Sequence, residues 1–259
     1  MNQYTVKLIG SQIENLLKVL KINKPVEGNA AVFFDIDGTV SRNDNLELLI
    51  TEITNRDLLQ NHKEEVVEKA RKLWKSRDLD FKDYLKTVIE ILPSLKFFSK
   101  DILEKIAQDI IEEQGGHYYI FPWMLLIRLK NLGYKLVAVS GAPSFMAEKY
   151  LDKIGLFPWK VHSSKWIFEN NVFTGKIDLN ILENKGDFIE EKYKDLFDLD
   201  QCIALGDTIS DISMFQKVGK AIAINPTYAL AQKAIEEKWA ILLERKDLVL
   251  TFPEGRIKI

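Results

Sequence analysis

Four aspartates, a serine and a lysine stand out in the 259-residue chain. Asp35 and Asp37 lie two apart in Asp35-Ile36-Asp37-Gly38-Thr39, Ser140 precedes Gly141, Lys185 sits between Asn184 and Gly186, and Asp207 follows Gly206 with Asp211 beyond it. On an extended segment, residues two apart project to one side, so Asp35 and Asp37 share a face. Gly38 lets the backbone turn tightly, and the N–H groups beyond it, from Thr39 onward, can donate to an anion's oxygens. Clustered carboxylates repel and raise one another's pKa unless a cation compensates. Mg²⁺ suits that task, because it takes oxygen ligands and binds through one or two carboxylates plus a substrate phosphate. With Lys185, the set supplies a nucleophile, an acid–base, a metal site and donors for equatorial oxygens, which is what phosphoryl transfer requires. An aspartate nucleophile forms an aspartyl-phosphate that water then hydrolyses.

These residues need a scaffold that gathers them. Ala31-Val32-Phe33-Phe34 is a continuous apolar run, the mark of a strand buried on both faces of a parallel sheet, and similar runs recur at Leu136–Val139, Ile203–Leu205, Ala221–Ile224 and Ala240–Leu243. Helical stretches such as 123–131 and 226–238 alternate with them, which predicts an α/β fold with a doubly wound parallel sheet. Three of the strands end in the polar residues above, and ligands in such sheets bind outside the strands' carboxyl ends. Residues 43–118 read differently. They are charged and helix-patterned with Pro93 as their only proline, and are expected to form an all-helical cap inserted into a core of residues 30–42 and 119–259. Ile13, Leu16, Leu17 and Leu20 mark a short amphipathic helix in an N-terminal arm, residues 1–29, and Asn23, Pro25 and Gly28 end it. Between Lys165 and Lys176, β-prone runs flank Glu169-Asn170-Asn171, a hairpin signal.

Composition removes several function classes. Apolar residues make up 46% and charged residues 29%, enough to bury a real core and too much for disorder. The 36 basic residues against 38 acidic ones give a formal charge of −2, with no electrostatic footprint for nucleic acid. Cys202 is the one cysteine, so no intramolecular disulfide forms, and His62, His117 and His162 are too scattered to build a zinc site. No apolar run reaches the 18 residues of a membrane span, and residues 1–30 show no secretory leader pattern. A cytoplasmic protein is the expectation; its oligomeric state is not legible.

The motifs, in this order at strand ends, resemble those of the haloacid dehalogenase superfamily of phosphohydrolases, over roughly residues 30 to 245. The resemblance implies a Rossmann-like core and assigns roles. Asp35 is then the nucleophile and a metal ligand. Asp37 is the general acid and then the base, with its carbonyl on the metal. Ser140 and Lys185 hold the phosphoryl group, Gly38, Thr39 and Gly141 belong to the same cradle, and Asp207 and Asp211 complete the Mg²⁺ shell. The 103 positions from Asp37 to Ser140 leave room for a helical cap, while the 45 from Ser140 to Lys185 do not leave room for a large second one. Cap placement, the hairpin, Asn184-Lys185-Gly186 and Asp211-Ile212-Ser213-Met214-Phe215 are similar to the phosphoserine phosphatase-like branch, in which Asp44 matches an acidic residue facing the substrate's amino group. Val88 stands where that branch carries a carboxylate-gripping arginine, and the stretch Phe81–Ile91 holds no arginine at all. Gly38, Ala142 and Ser210 replace a frequent serine, glycine and asparagine.

Some residues read two ways. Lys69, Arg71, Lys72, Lys75 and Arg77 form a basic run best taken as a solvated helix face, with steering of an anionic substrate as the sharper reading. Trp74 is expected in the cap core, and Tyr118, Tyr119, Phe121 and Trp123 in cap–core packing, with His117 near the same hinge. Arg42 and Asp44 follow the first motif closely enough to face the site. The expected activity is hydrolysis of a small phosphomonoester. A phosphotransferase or mutase, and an inactive binding module on this scaffold, are the alternatives.

Overall fold

A computed structural model of the chain describes residues 3–22, 25–26, 28–59, 63–76, 81–178, 181, 184–245 and 248–255. Its centre is an eight-stranded sheet in the order β4-β3-β2-β1-β5-β6-β7-β8. The strands are β1 (Ala31–Phe34), β2 (Lys135–Pro143), β3 (Lys160–Glu169), β4 (Val172–Asp178), β5 (Ile203–Gly206), β6 (Lys220–Ile224), β7 (Ala240–Arg245) and β8 (Leu248–Phe252). The pairs from β3 through β7 are parallel, and β4 and β8 run antiparallel at the two edges. The expected doubly wound α/β class holds. β1 is buried along its whole length, as its unbroken apolar run requires of a central strand covered on both faces. It pairs with β2 on one side and β5 on the other. Successive strands are added to one side of β1 and then to the other, and this switch in strand order opens a crevice at its carboxyl end.

Between β1 and β2 the chain forms α2 (Asn45–Asn55), α3 (Lys63–Ser76), α4 (Phe81–Ile91), a 3₁₀ turn over Leu92–Leu95 and α5 (Lys100–Gln114). Trp74, half-buried, stacks at 4.9 Å between ring centres on the buried Tyr84 and so packs against the core of this helical layer. The chain leaves the sheet domain at Ser41–Arg42 and returns at His117–Tyr119, and these crossings are bonded together: Arg42 N–H donates to His117 O at 3.0 Å and Tyr119 N–H to Val40 O at 2.9 Å. α6 (Ile120–Asn131) then leads to β2, α7 (Ser144–Lys153) to β3, and α1 (Gln3–Val19) covers α6 and β8.

Asn170 and Asn171 both have positive φ, 48° and 66°, so the predicted hairpin turns through two left-handed residues, which asparagine tolerates well. The hairpin is longer than its sequence signal, and β3 belongs to the main sheet through parallel pairing with β2. It also reaches the helical layer. Phe97 N–H donates to Phe173 O at 3.0 Å, Phe173 N–H to Phe98 O at 2.8 Å, and Lys100 N–H to Asn171 O at 2.8 Å.

Candidate active site

Asp35 is the first residue beyond β1, and its N–H donates to Leu205 O of β5 at 3.0 Å. The chain then doubles back, with the N–H groups of Val40 and Ser41 both donating to Ile36 O. Gly38 makes this turn possible. Its φ is +73°, and a Cβ there would lie 2.0 Å from Asp207 Oδ2, so the absent side chain is the room that Asp207 occupies. Thr39 Oγ1 donates to the other oxygen of Asp207 at 3.1 Å, which joins the loop after β1 to the loop after β5.

Lys185 begins α8 (Lys185–Tyr193), whose N-cap Asn184 accepts the Asp187 N–H at 3.1 Å. A Cβ on Gly186 would meet Ser213 O at 2.3 Å, so only glycine lets α8 approach the segment after Asp211 this closely. That approach buries Lys185 at 2% exposure, with Nζ 2.7 Å from Asp211 Oδ1 and 3.2 Å from Asp35 Oδ2. Asp211 Oδ2 accepts the N–H groups of Asp207 and Thr208, both at 3.0 Å, so both oxygens of Asp211 are engaged by protein. Asp35 Oδ1 accepts the Ile36 N–H at 2.8 Å.

The electrostatics follow from this crowding. Burial pushes the Asp35 carboxyl up from 3.8 to about 6; Lys185 pulls against this, and Asp211 adds repulsion. Burial raises Asp207 well above the ordinary carboxylate range, with Asp211 and Asp35 repelling it further. Asp37 is likewise raised by desolvation, then by Asp44 and Asp35, while Asn45 favours its charged form. Burial carries Asp44 to about 6 against the lowering hydrogen bond from the Glu47 N–H. For Lys185, burial opposes the charge, yet Asp211 and Asp35 outweigh it and hold the ammonium firmly protonated. A crevice with four raised carboxyls, in which Lys185 reaches Asp35 and Asp211, is short of positive charge.

Oxygens of Asp35, Asp207 and Asp211 lie within 4.8 Å of one another and could hold a metal ion. The Asp37 carboxylate stands outside that group and accepts from Asn45 Nδ2. Ser140 is fully buried beside Asp35, whose charged form it favours, and its own Oγ accepts the Ala142 N–H at 3.2 Å. Ser140 and Gly141 lie within β2, which continues to Pro143, at the shift in its pairing with β3; an irregularity in the ladder aims the serine. Asp44 caps α2 and accepts the Glu47 N–H at 2.7 Å.

Other expectations moved. Arg42 does not face the crevice; its guanidinium bonds Tyr118 O and Glu244 and lies over the Tyr119 ring. Lys69 and Lys72 are solvated, whereas Arg71 bonds Thr51 and Glu68 and lies 3.8 Å from Glu47; the Lys75 side chain and Arg77 fall outside the described residues. Val88 is buried in the helical layer. Asn45 and Glu244 escaped the sequence reading. Asn45, which follows Asp44 at the start of α2, could have been flagged by position; Glu244 carried no local signal.

Residues 32–216, which include every motif above, match the family model for haloacid dehalogenase-like hydrolase. The chain belongs to that family. Among haloacid dehalogenase-like relatives, a phosphoserine phosphatase of Methanocaldococcus jannaschii is 28% identical over 84% of this chain and 93% of its own length. A phosphoserine phosphatase of Archaeoglobus fulgidus is 25% identical over 78% of this chain and 54% of its own. A solved structure described as a phospho-aspartyl intermediate analogue of phosphoserine phosphatase superposes with a TM-score of 0.60 at 24% identity, covering 87% of this chain and 96% of that one. A Bordetella pertussis protein of unknown function shares the fold at a TM-score of 0.64 and 12% identity, covering 82% and 97%. The sequence reading of a phosphoserine phosphatase-like phosphohydrolase with a Rossmann-like core holds. Among the described residues, no helix is long and apolar enough to cross a membrane.

Proposed function

We propose that this hydrolase is a Mg²⁺-dependent phosphatase that cleaves a small phosphomonoester through an aspartyl-phosphate on Asp35. The observation that carries the reading is the buried Lys185 ammonium between Asp35 and Asp211, with Asp207 completing a three-carboxylate group. An all-oxygen donor set with raised pKa values fits a hard divalent cation. Asp35, Asp207 and the Asp37 carbonyl would hold it, while Asp211, with both oxygens engaged, orients Asp207 and Lys185. Bound there, magnesium neutralises the carboxylates and draws charge from the phosphoryl oxygens.

Asp35 attacks phosphorus with the oxygen nearer Lys185, its other oxygen fixed by the Ile36 N–H. Asp37, whose protonated form is favoured by burial and then by the neighbouring Asp44 and Asp35, hands its proton to the departing alkoxide and as a carboxylate then takes one from the attacking water. Ser140, Lys185 and the N–H groups of the Gly38–Thr39 turn stabilise the transferred group. Residues 43–118 act as the cap that excludes bulk water and selects the alcohol. Phosphoserine, named for the relatives, is a weak candidate: Val88 is apolar and buried, and Arg71 is already bound to cap carboxylates.

The test is phosphate release from amino-acid, sugar, nucleotide and lipid-headgroup phosphates, with magnesium and with EDTA. Asp35→Asn should abolish turnover and leave the fold intact. Near wild-type, metal-dependent activity in that variant overturns the nucleophile; transfer to added alcohols or sugars in place of water would reassign the enzyme as a phosphotransferase.

A further inference from the structure

Glu244 lies near the end of β7, its side chain 2% exposed, and the chemistry above makes no use of it. Its Oε1 accepts the Ile120 N–H at 3.0 Å and Arg42 Nη2 at 2.7 Å; its Oε2 accepts the Phe121 N–H at 2.8 Å. Those N–H groups open α6, whose N-cap Tyr119 provides no side-chain bond, so a carboxylate from a distant strand caps the helix. Arg42 belongs to the outgoing crossing, and its Nε donates to Tyr118 O of the returning one at 3.0 Å. One ion pair therefore joins both crossings to the sheet. From there it reaches the site on two sides. Ser41, beside Arg42, bridges to Asp37. The Glu244 N–H donates to Asn225 Oδ1 at 2.7 Å, and two residues on, the Thr227 N–H donates to Asp207 O at 2.9 Å.

We propose that Arg42 and Glu244 are positioning residues, a latch that fixes the two crossings and through them the placement of Asp37. Its kinetic consequence rests on the phosphatase reading; its structural consequence does not. The latch is tested with Glu244→Gln, Arg42→Gln and the double variant in the full chain with magnesium. Two substrates are compared: an alkyl phosphomonoester, whose alkoxide needs the Asp37 proton, and p-nitrophenyl phosphate, whose leaving group departs without one. Each single variant should lower kcat/KM, which reports the step that forms the aspartyl-phosphate, about tenfold on the alkyl ester and less than about threefold on the aryl ester. The double variant should be no worse than the more severe single one, since both break one unit. Amide exchange should quicken at Arg42, Ile120 and Phe121 and stay unchanged in β1 and β5. Equal losses on both esters, additive losses in the double variant, or unchanged exchange would each overturn the latch. If the wild-type chain releases phosphate from neither ester, the phosphatase reading fails separately, and exchange alone decides the latch. Arg42→Gln, on the half-exposed side of the pair, carries the test should Glu244→Gln not fold.

Discussion

Magnesium titrated against pH puts the carboxylate group to its sharpest test. Asp35 has a folded value of about 6 against an ordinary 3.8, with burial the largest cause. In the metal-free protein its contribution to stability is full below about pH 3.8 and is lost as pH rises through about 6. At about 1.36 kcal/mol per pH unit, that interval amounts to ~3 kcal/mol of destabilisation at neutral pH. A cation must displace the same proton, so apparent Mg²⁺ affinity should fall about tenfold per pH unit below 6 and flatten above 7, more steeply where Asp207 also gives up a proton. Calorimetry in buffers of different ionisation enthalpy counts the protons released, and thermal melts in EDTA and in magnesium read the stability. The melting temperature gained from magnesium should grow from pH 5 to pH 7. A pH-independent affinity, with no protons released, would refute the account of the site as carboxylates held short of their counter-charge.

Three substitutions test the same geometry. Lys185→Met strands Asp35 and Asp211 together and should cost about 3–5 kcal/mol in urea unfolding at pH 7.5 without metal, less at pH 5 where Asp35 is protonated, and should abolish phosphate release. Gly38→Ala forces a Cβ against Asp207 at positive φ; about 1–2 kcal/mol of backbone strain and at least a tenfold loss of kcat are expected, measured by melting and by phosphate release. Asn45→Ala removes a donor that favours ionised Asp37, so the alkaline limb of the kcat/KM profile, where the general acid loses its proton, should move to higher pH, with kcat down about tenfold.

The parts legible in the sequence were those written locally. β1, β2 and β5 announced themselves as apolar runs ending in polar residues, because a strand covered on both faces has no alternation to hide in. The motif residues fall at those ends, so their meeting follows from topology. Pairings across the fold left no local trace. α6 starts at Ile120, three residues before the predicted stretch, because Pro122 is tolerated in a first turn and a residue far along the chain satisfies its opening N–H groups. β3 pairs in parallel with β2 across α7, which a hairpin signal cannot report. Position left Arg42 open between facing the crevice and not, because the partner that decides it, Glu244, lies 202 positions away.

The hairpin's hydrogen bonds to Phe97–Lys100 change what motion costs least. Lifting the whole helical layer would break three backbone bonds at β4 and the Asn171–Asp101 side-chain bond, besides parting α5 from α7. Tilting α3 and α4 leaves all of these made. The layer is thus pinned at its base like a tent staked along one side, the side it shares with the hairpin.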